Sequence, residues 1–142
     1  MMNTLIDQYI ESNQFGRTIG MNFEIIQPGK VIYQLKINET HLATPLAAHG
    51  GCIAALLDAT MGVGALSLVE KDFQVVNTLE MKVSFLEAVF INDELNSTSL
   101  IIRKGRKIIF VEAEIKNQKR KIVAKGSGTF LVIDGLKAGY KK

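Results

Sequence analysis

Apolar residues recur along this chain in two rhythms, one of helical period and one of period two, and their order predicts the fold. Over residues 4–14, Leu5, Ile6, Tyr9 and Ile10 fall at helical spacing with Asn3 placed to cap the first turn, which predicts a short amphipathic helix. The segments Ile19–Gln27 and Val31–Asn38 flank Pro28-Gly29-Lys30. Within the second, Val31, Tyr33, Leu35 and Ile37 alternate with less apolar neighbours, as in a hairpin. From Gly51 to Val69 the chain is apolar nearly all round and rich in Ala, Leu, Met and Gly, the pattern of a helix wrapped by other structure. Four strand-like segments follow, at about Gln74–Phe85, Glu94–Arg103, Lys107–Asn117 and Lys121–Ile133. In the first, Leu79, Met81, Val83 and Phe85 alternate with Glu80, Lys82 and Ser84, which predicts one dry face and one wet face. Lys104-Gly105-Arg106 and Asn117-Gln118-Lys119-Arg120 are short enough to be hairpin turns, so the last three strands form an antiparallel meander. The order of helix, two strands, buried helix and four strands predicts one α+β domain over residues 1–142, with a sheet curled around the central helix.

Composition narrows the class. A chain of 142 residues, 47% apolar and 22% charged, suits one ordinary globular domain. Met1 to Ile10 carries Asp7 and no positive run before an apolar core, so it does not read as a secretory signal, and a cytoplasmic location is the default. Cys52 is the only cysteine, which excludes an internal disulfide and a cysteine cluster for zinc. The stretch Ala43–Val69 is long enough to raise the question of a membrane span, but His49, Asp58, Gly62 and Gly64 interrupt it, favouring a buried helix. Two histidines with no suitably spaced acids make a poor metal site. The net charge of +3 hides an asymmetry: residues 1–100 hold 5 basic and 11 acidic side chains, residues 101–142 hold 12 and 3. The C-terminal part can therefore meet a polyanion, although no aromatic platform is interleaved with the charges as nucleic acid would require.

Asp58 is the informative residue. Between Glu39 and Glu70 no other residue carries a formal charge, and an unpaired carboxylate in a buried segment is costly. At the start of the same helix, Gly50 and Gly51 present backbone N–H groups that have no intrahelical partner and can be approached closely. A phosphate, or a thioester or ester carbonyl gaining negative charge, is the kind of group such donors stabilise. Asp58 lies eight residues after Gly50, roughly 10 to 12 Å along a helix axis. One substrate carbon needs contacts of about 3 Å, so both groups act on it only if a second copy of the chain supplies one of them. Two such helices running antiparallel across a twofold axis would create two equivalent sites. Plainer roles stand beside these: a structural carboxylate for Asp58, a helix-entry residue for His49, core filling for Cys52, Met61 and Met81, and a loop anchor for His41.

The run His49-Gly50-Gly51-Cys52-Ile53-Ala54-Ala55-Leu56-Leu57-Asp58-Ala59-Thr60-Met61-Gly62 resembles the signature of hotdog-fold acyl-CoA thioesterases, in the branch containing the phenylacetate-degradation (PaaI-like) thioesterase and thioesterase superfamily member 2. The likeness runs from about Phe15 to Ile133. It implies hydrolysis of an acyl-CoA to free acid and CoA without a cofactor, by a homodimer that in relatives commonly pairs into a tetramer. It further implies that Asp58 is the nucleophile or general base, that the Gly50 N–H of the opposite subunit forms the oxyanion hole, that His49 orients the thioester or the hole, and that Thr78 positions the attacking water. Gly51 is expected to help bind substrate, and Arg103, Lys104, Gly105 and Arg106 resemble the segment that lies along the pantetheine and phosphates of CoA. Ala43 stands where relatives often carry Asn, which leaves a non-catalytic acyl-CoA binding or sensing protein as the alternative. Hydration of an enoyl thioester ranks last.

Overall fold

A computed structural model describes residues 3–142. The N-terminal helix is two helices, α1 (Leu5–Ser12) and α2 (Gln14–Ile19), where the spacing predicts one over 4–14. Thr4, not Asn3, starts α1: its Oγ1 accepts from the Asp7 N–H at 3.1 Å while Asp7 Oδ2 accepts from the Thr4 N–H at 3.0 Å, a reciprocal capping box. Asn13 then interrupts the helix by accepting the Gly16 N–H on its side chain, and Gly20, at φ +90°, ends α2 in the left-handed region. Ile19 therefore belongs to a helix, and the first strand begins three residues later than predicted.

The strands are β1 (Asn22–Gln27), β2 (Lys30–Lys36), β3 (Gln74–Phe85), β4 (Glu94–Lys104), β5 (Ile108–Lys116) and β6 (Ile122–Asp134). They pair antiparallel in the order β1-β2-β4-β5-β6-β3, with the predicted meander β4-β5-β6 in the middle. The long helix α3 (Gly50–Val69) lies against all six strands. With the turn that follows, it is long and apolar enough to cross a membrane, with a mean hydropathy of 1.9. Here that surface is spent on the sheet: Leu56, Leu57, Met61, Val63 and Ala65 are buried against Tyr33, Ile109, Val111 and Phe130. Gly128 on β6 lets the helix come this close, since a Cβ there would stand 2.9 Å from Phe130 Cε2 and 3.3 Å from Met61 Cε.

β3 departs from simple alternation. Thr78 pairs with Phe130 and Glu80 with Thr129, so Leu79 is the extra residue of a bulge. Without it Thr78 and Met81 would point to opposite faces. With it, both stand opposite residues on the helix side of the sheet, Phe130 and Gly128. The predicted dry face is also wet in this chain, with Leu79 53%, Met81 36% and Phe85 57% exposed. The reason is position: β3 is an edge strand, and its outer side has no partner strand.

Candidate active site

The loop entering α3 is pinned by two histidines. His41 is buried; its Nδ1 accepts the Asn38 N–H at 3.0 Å, its Nε2 donates to the Ile19 carbonyl at 2.6 Å, and its own carbonyl accepts the His49 N–H at 2.7 Å. His41 is thus an anchor of the loop. His49 is the N-cap of α3, its Nδ1 accepting the Gly51 N–H at 2.7 Å. With Nδ1 as acceptor, the neutral ring carries its proton on Nε2, which faces outward from an exposed side chain. Because His49 takes the Gly51 N–H, the free donor at the helix start is Gly50: among the described residues its N–H has no partner. The Phe85 ring lies beside it, 3.4 Å from where a Gly50 Cβ would be.

Two helical turns further on, Asp58 is half-buried rather than buried, because a cleft opens beside it. The Thr78 hydroxyl donates to Asp58 Oδ1 at 2.7 Å. Among the described residues, no lysine or arginine pairs with Asp58 and Oδ2 has no partner, so a structural ion pair does not explain this carboxylate. Gly50 and Asp58 of one chain are separated by about 12 Å along the α3 axis.

The cleft, about 350 Å³, runs from Asp58 and Thr78 along α3 past Ala59, Gly62 and Val63 to Leu66, with Val75 and Val76 opposite and Tyr9 and Tyr140 at its wall. Burial pushes the Tyr9 phenol up from its ordinary value, with the nearby Tyr140 and Asp58 adding to the rise, so Tyr9 is a neutral hydroxyl beside the carboxylate. Tyr9 reads in sequence only as part of an apolar helix face, and Tyr140 carries no sequence signal at all. They reach the site because both termini fold over the C-terminal half of α3.

Arg103, Lys104, Gly105 and Arg106 lie at the β4–β5 hairpin, with the three charged side chains exposed. Lys104 shares a lateral row of the sheet with Ile109, Phe130 and Thr78. Three strand spacings, about 14 Å, separate its backbone from that of Thr78, so the hairpin lies near the site without touching it. Cys52 is buried, and burial pushes its thiol up, which makes it a poor nucleophile despite its place at a helix start. Among the described residues, no group of three or more His, Cys, Asp or Glu side chains is placed to hold a metal ion.

A six-stranded antiparallel sheet wrapped around one long helix is the hotdog fold. The thioesterase superfamily matches residues 47–124, more than half the chain, and the chain belongs to that family. Human acyl-coenzyme A thioesterase 13 is 24% identical over 130 residues, covering 90% of this chain and 91% of that protein. The E. coli PaaI protein, from the phenylacetic acid degradation operon, superposes with a TM-score of 0.84 at 21% identity, covering 92% and 91% of the two chains. A hypothetical thioesterase of Streptococcus pneumoniae, solved with coenzyme A, superposes with a TM-score of 0.73 at 25% identity, covering 80% and 86%.

Proposed function

We propose that this thioesterase hydrolyses acyl-CoA at a site shared between two copies of the chain. The observation that carries the reading is the 2.7 Å hydrogen bond from Thr78 to Asp58 on the same helix as an unpartnered Gly50 N–H. Those two groups are too far apart within one chain to act on one carbonyl, and a twofold partner closes the gap. The unpaired β3 edge, with its exposed Leu79, Met81 and Phe85, favours an antiparallel β3–β3 contact between copies, which joins two six-stranded sheets and sets the α3 helices side by side.

In this reading the thioester carbonyl oxygen lies on the Gly50 N–H of one protomer, at the positive end of α3. Asp58 of the other either attacks the carbonyl carbon or takes a proton from a water that does so, with Thr78 fixing the carboxylate. The C–S bond breaks and CoA leaves as a thiolate: where Asp58 acted as base, the proton it took passes to the thiolate, and where it attacked, water protonates the thiolate and cleaves the mixed anhydride to free acid and the Asp58 carboxylate. The outward Nε2–H of His49 is a further donor beside the hole. Arg103, Lys104 and Arg106 are unpaired among the described residues and suit the phosphates of CoA. The relatives named for acyl-CoA hydrolysis, and the neighbour solved with coenzyme A, support the same substrate class.

Thiol release from a panel of aryl and aliphatic acyl-CoAs tests the reading, with Asp58→Asn as the control: a folded variant should lose turnover by orders of magnitude, and full activity would remove Asp58 from the chemistry. Ala43 supports a second reading. It offers only a methyl group where relatives often carry an amide, its N–H being used by the Ala47 carbonyl at 2.9 Å. Tight acyl-CoA binding without thiol release would make the protein a binder or sensor.

A further inference from the structure

The cleft beside Asp58 has a far end, and the C-terminal tail builds it. Gly135 N–H bonds the Phe73 carbonyl at 2.9 Å, Tyr140 N–H bonds the Gly135 carbonyl at 3.0 Å, and Gly139 turns the chain at φ +94°. The tail is then latched to α1 by a reciprocal pair: Lys141 N–H donates to Gln8 Oε1 at 2.9 Å and Gln8 Nε2 donates to the Lys141 carbonyl at 2.6 Å. The Gln8 amide offers Lys141 the donor and acceptor that a neighbouring strand would. Between these fixed points Tyr140 packs on Leu5, Leu66 and Val75, with Tyr9 at the same wall.

We propose that Tyr140, with Tyr9, sets the maximum length of the acyl group, making the enzyme selective for chains of up to about ten carbons. The estimate follows from the cleft: Asp58 to Leu66 spans eight helical residues, about 12 Å, and an extended chain advances about 1.2 Å per bond. The cleft suits the acyl group rather than the pantetheine arm. Beyond the polar Asp58, Asn77 and Thr78, the lining is Val63, Leu66 and Val75 with two rings at the wall, whereas the pantetheine carries amides that need partners and leads to a nucleotide that needs solvent. Its volume, about 350 Å³, lies at the small end of ligand pockets.

This assignment rests on the acyl-CoA reading above, and the test separates the two. Acyl-CoAs from two to sixteen carbons are assayed by thiol release and, in parallel, by calorimetric binding to Asp58→Asn. For the wild type, kcat/KM should rise with length by about fourfold per buried methylene and turn down beyond about ten carbons. Tyr140→Ala should move that break to longer chains, raising kcat/KM for acyl groups beyond about ten carbons relative to that for shorter ones. Gln8→Ala, which loosens the latch without lining the cleft, should shift it the same way by less, and circular dichroism confirms that both variants fold. Unchanged length profiles in both folded variants, or an equal loss at every length, would overturn the role of Tyr140. If no acyl-CoA releases thiol, the hydrolase reading fails, and the binding series in Asp58→Asn with and without Tyr140→Ala still decides the wall.

Discussion

Replacing Gly50 with proline removes one N–H and little else, and it can decide whether the site is shared. Gly50 is the first residue of α3, a position where proline is favoured because the lost N–H has no intrahelical bond. His49 before it stands at φ −65°, ψ 135°, already in the region that a following proline imposes. A Cβ would meet the Phe85 ring at 3.4 Å, an ordinary contact. Gly50→Pro should therefore fold normally and lose roughly 10²- to 10³-fold in kcat, the cost of one oxyanion-hole donor. Asp58→Asn should be at least as impaired. Co-expressed with two different tags and purified through both, the two variants form a heterodimer in which one site pairs an intact Gly50 with an intact Asp58 and the other has neither. That heterodimer should recover about half of the wild-type turnover per dimer. If each chain held a complete site, every site would carry one lesion and no activity would return. A heterodimer no faster than its parents refutes the shared centre.

Thr78→Ala should lower kcat by about tenfold with little change in KM, the scale of a hydrogen bond to a charged group, and Thr78→Ser should restore most of it. Full activity in the alanine variant would show that the 2.7 Å contact to Asp58 is only structural. Gly128→Ala should cost about 1 to 3 kcal/mol in urea unfolding, because its Cβ would sit 2.9 Å from Phe130 and the helix beneath cannot retreat. An unchanged midpoint would mean that β6 and α3 are less tightly packed than their contacts imply. Burial raises the Cys52 thiol, so its thiolate fraction at neutral pH lies below that of a free cysteine. Alkylation by iodoacetamide should be slow at pH 7 and accelerate only as the pH climbs past the ordinary thiol range; rapid labelling at pH 7 would contradict the burial.

Elements whose identity rests on local periodicity were legible in the sequence. α3 begins one residue from its predicted start, and β3, β5 and β6 match within a residue at each end, because long runs of one rhythm leave little choice. The first helix departs from its spacing where side chains compete with it: Thr4 and Asp7 cap each other, and Asn13 breaks the helix by serving Gly16. Asp58, Gly50 and His49 could be picked out because each is anomalous where it stands. Tyr9 and Tyr140 at the cleft, and Gln8 latching the tail behind them, could not, since their places depend on α1 and the C-terminal tail meeting over α3, a long-range fact with no local mark.

Thr78 shows how the two kinds of information meet. Strict alternation puts Thr78 on the face opposite Met81, Val83 and Phe85, away from the helix. One extra residue at Leu79 reverses that for everything upstream, and the hydroxyl arrives at the Asp58 carboxylate. The bulge weakens the ladder locally. It also occurs on an edge strand packed on α3, where distortion disturbs no second ladder within the chain. The same edge exposes Leu79, Met81 and Phe85, and Phe85 lies beside the free Gly50 N–H. A second copy docking on that edge would cover these side chains and bring its own Asp58 toward Gly50, so in the proposed dimer the strand that fixes the carboxylate would also recruit the donor it needs.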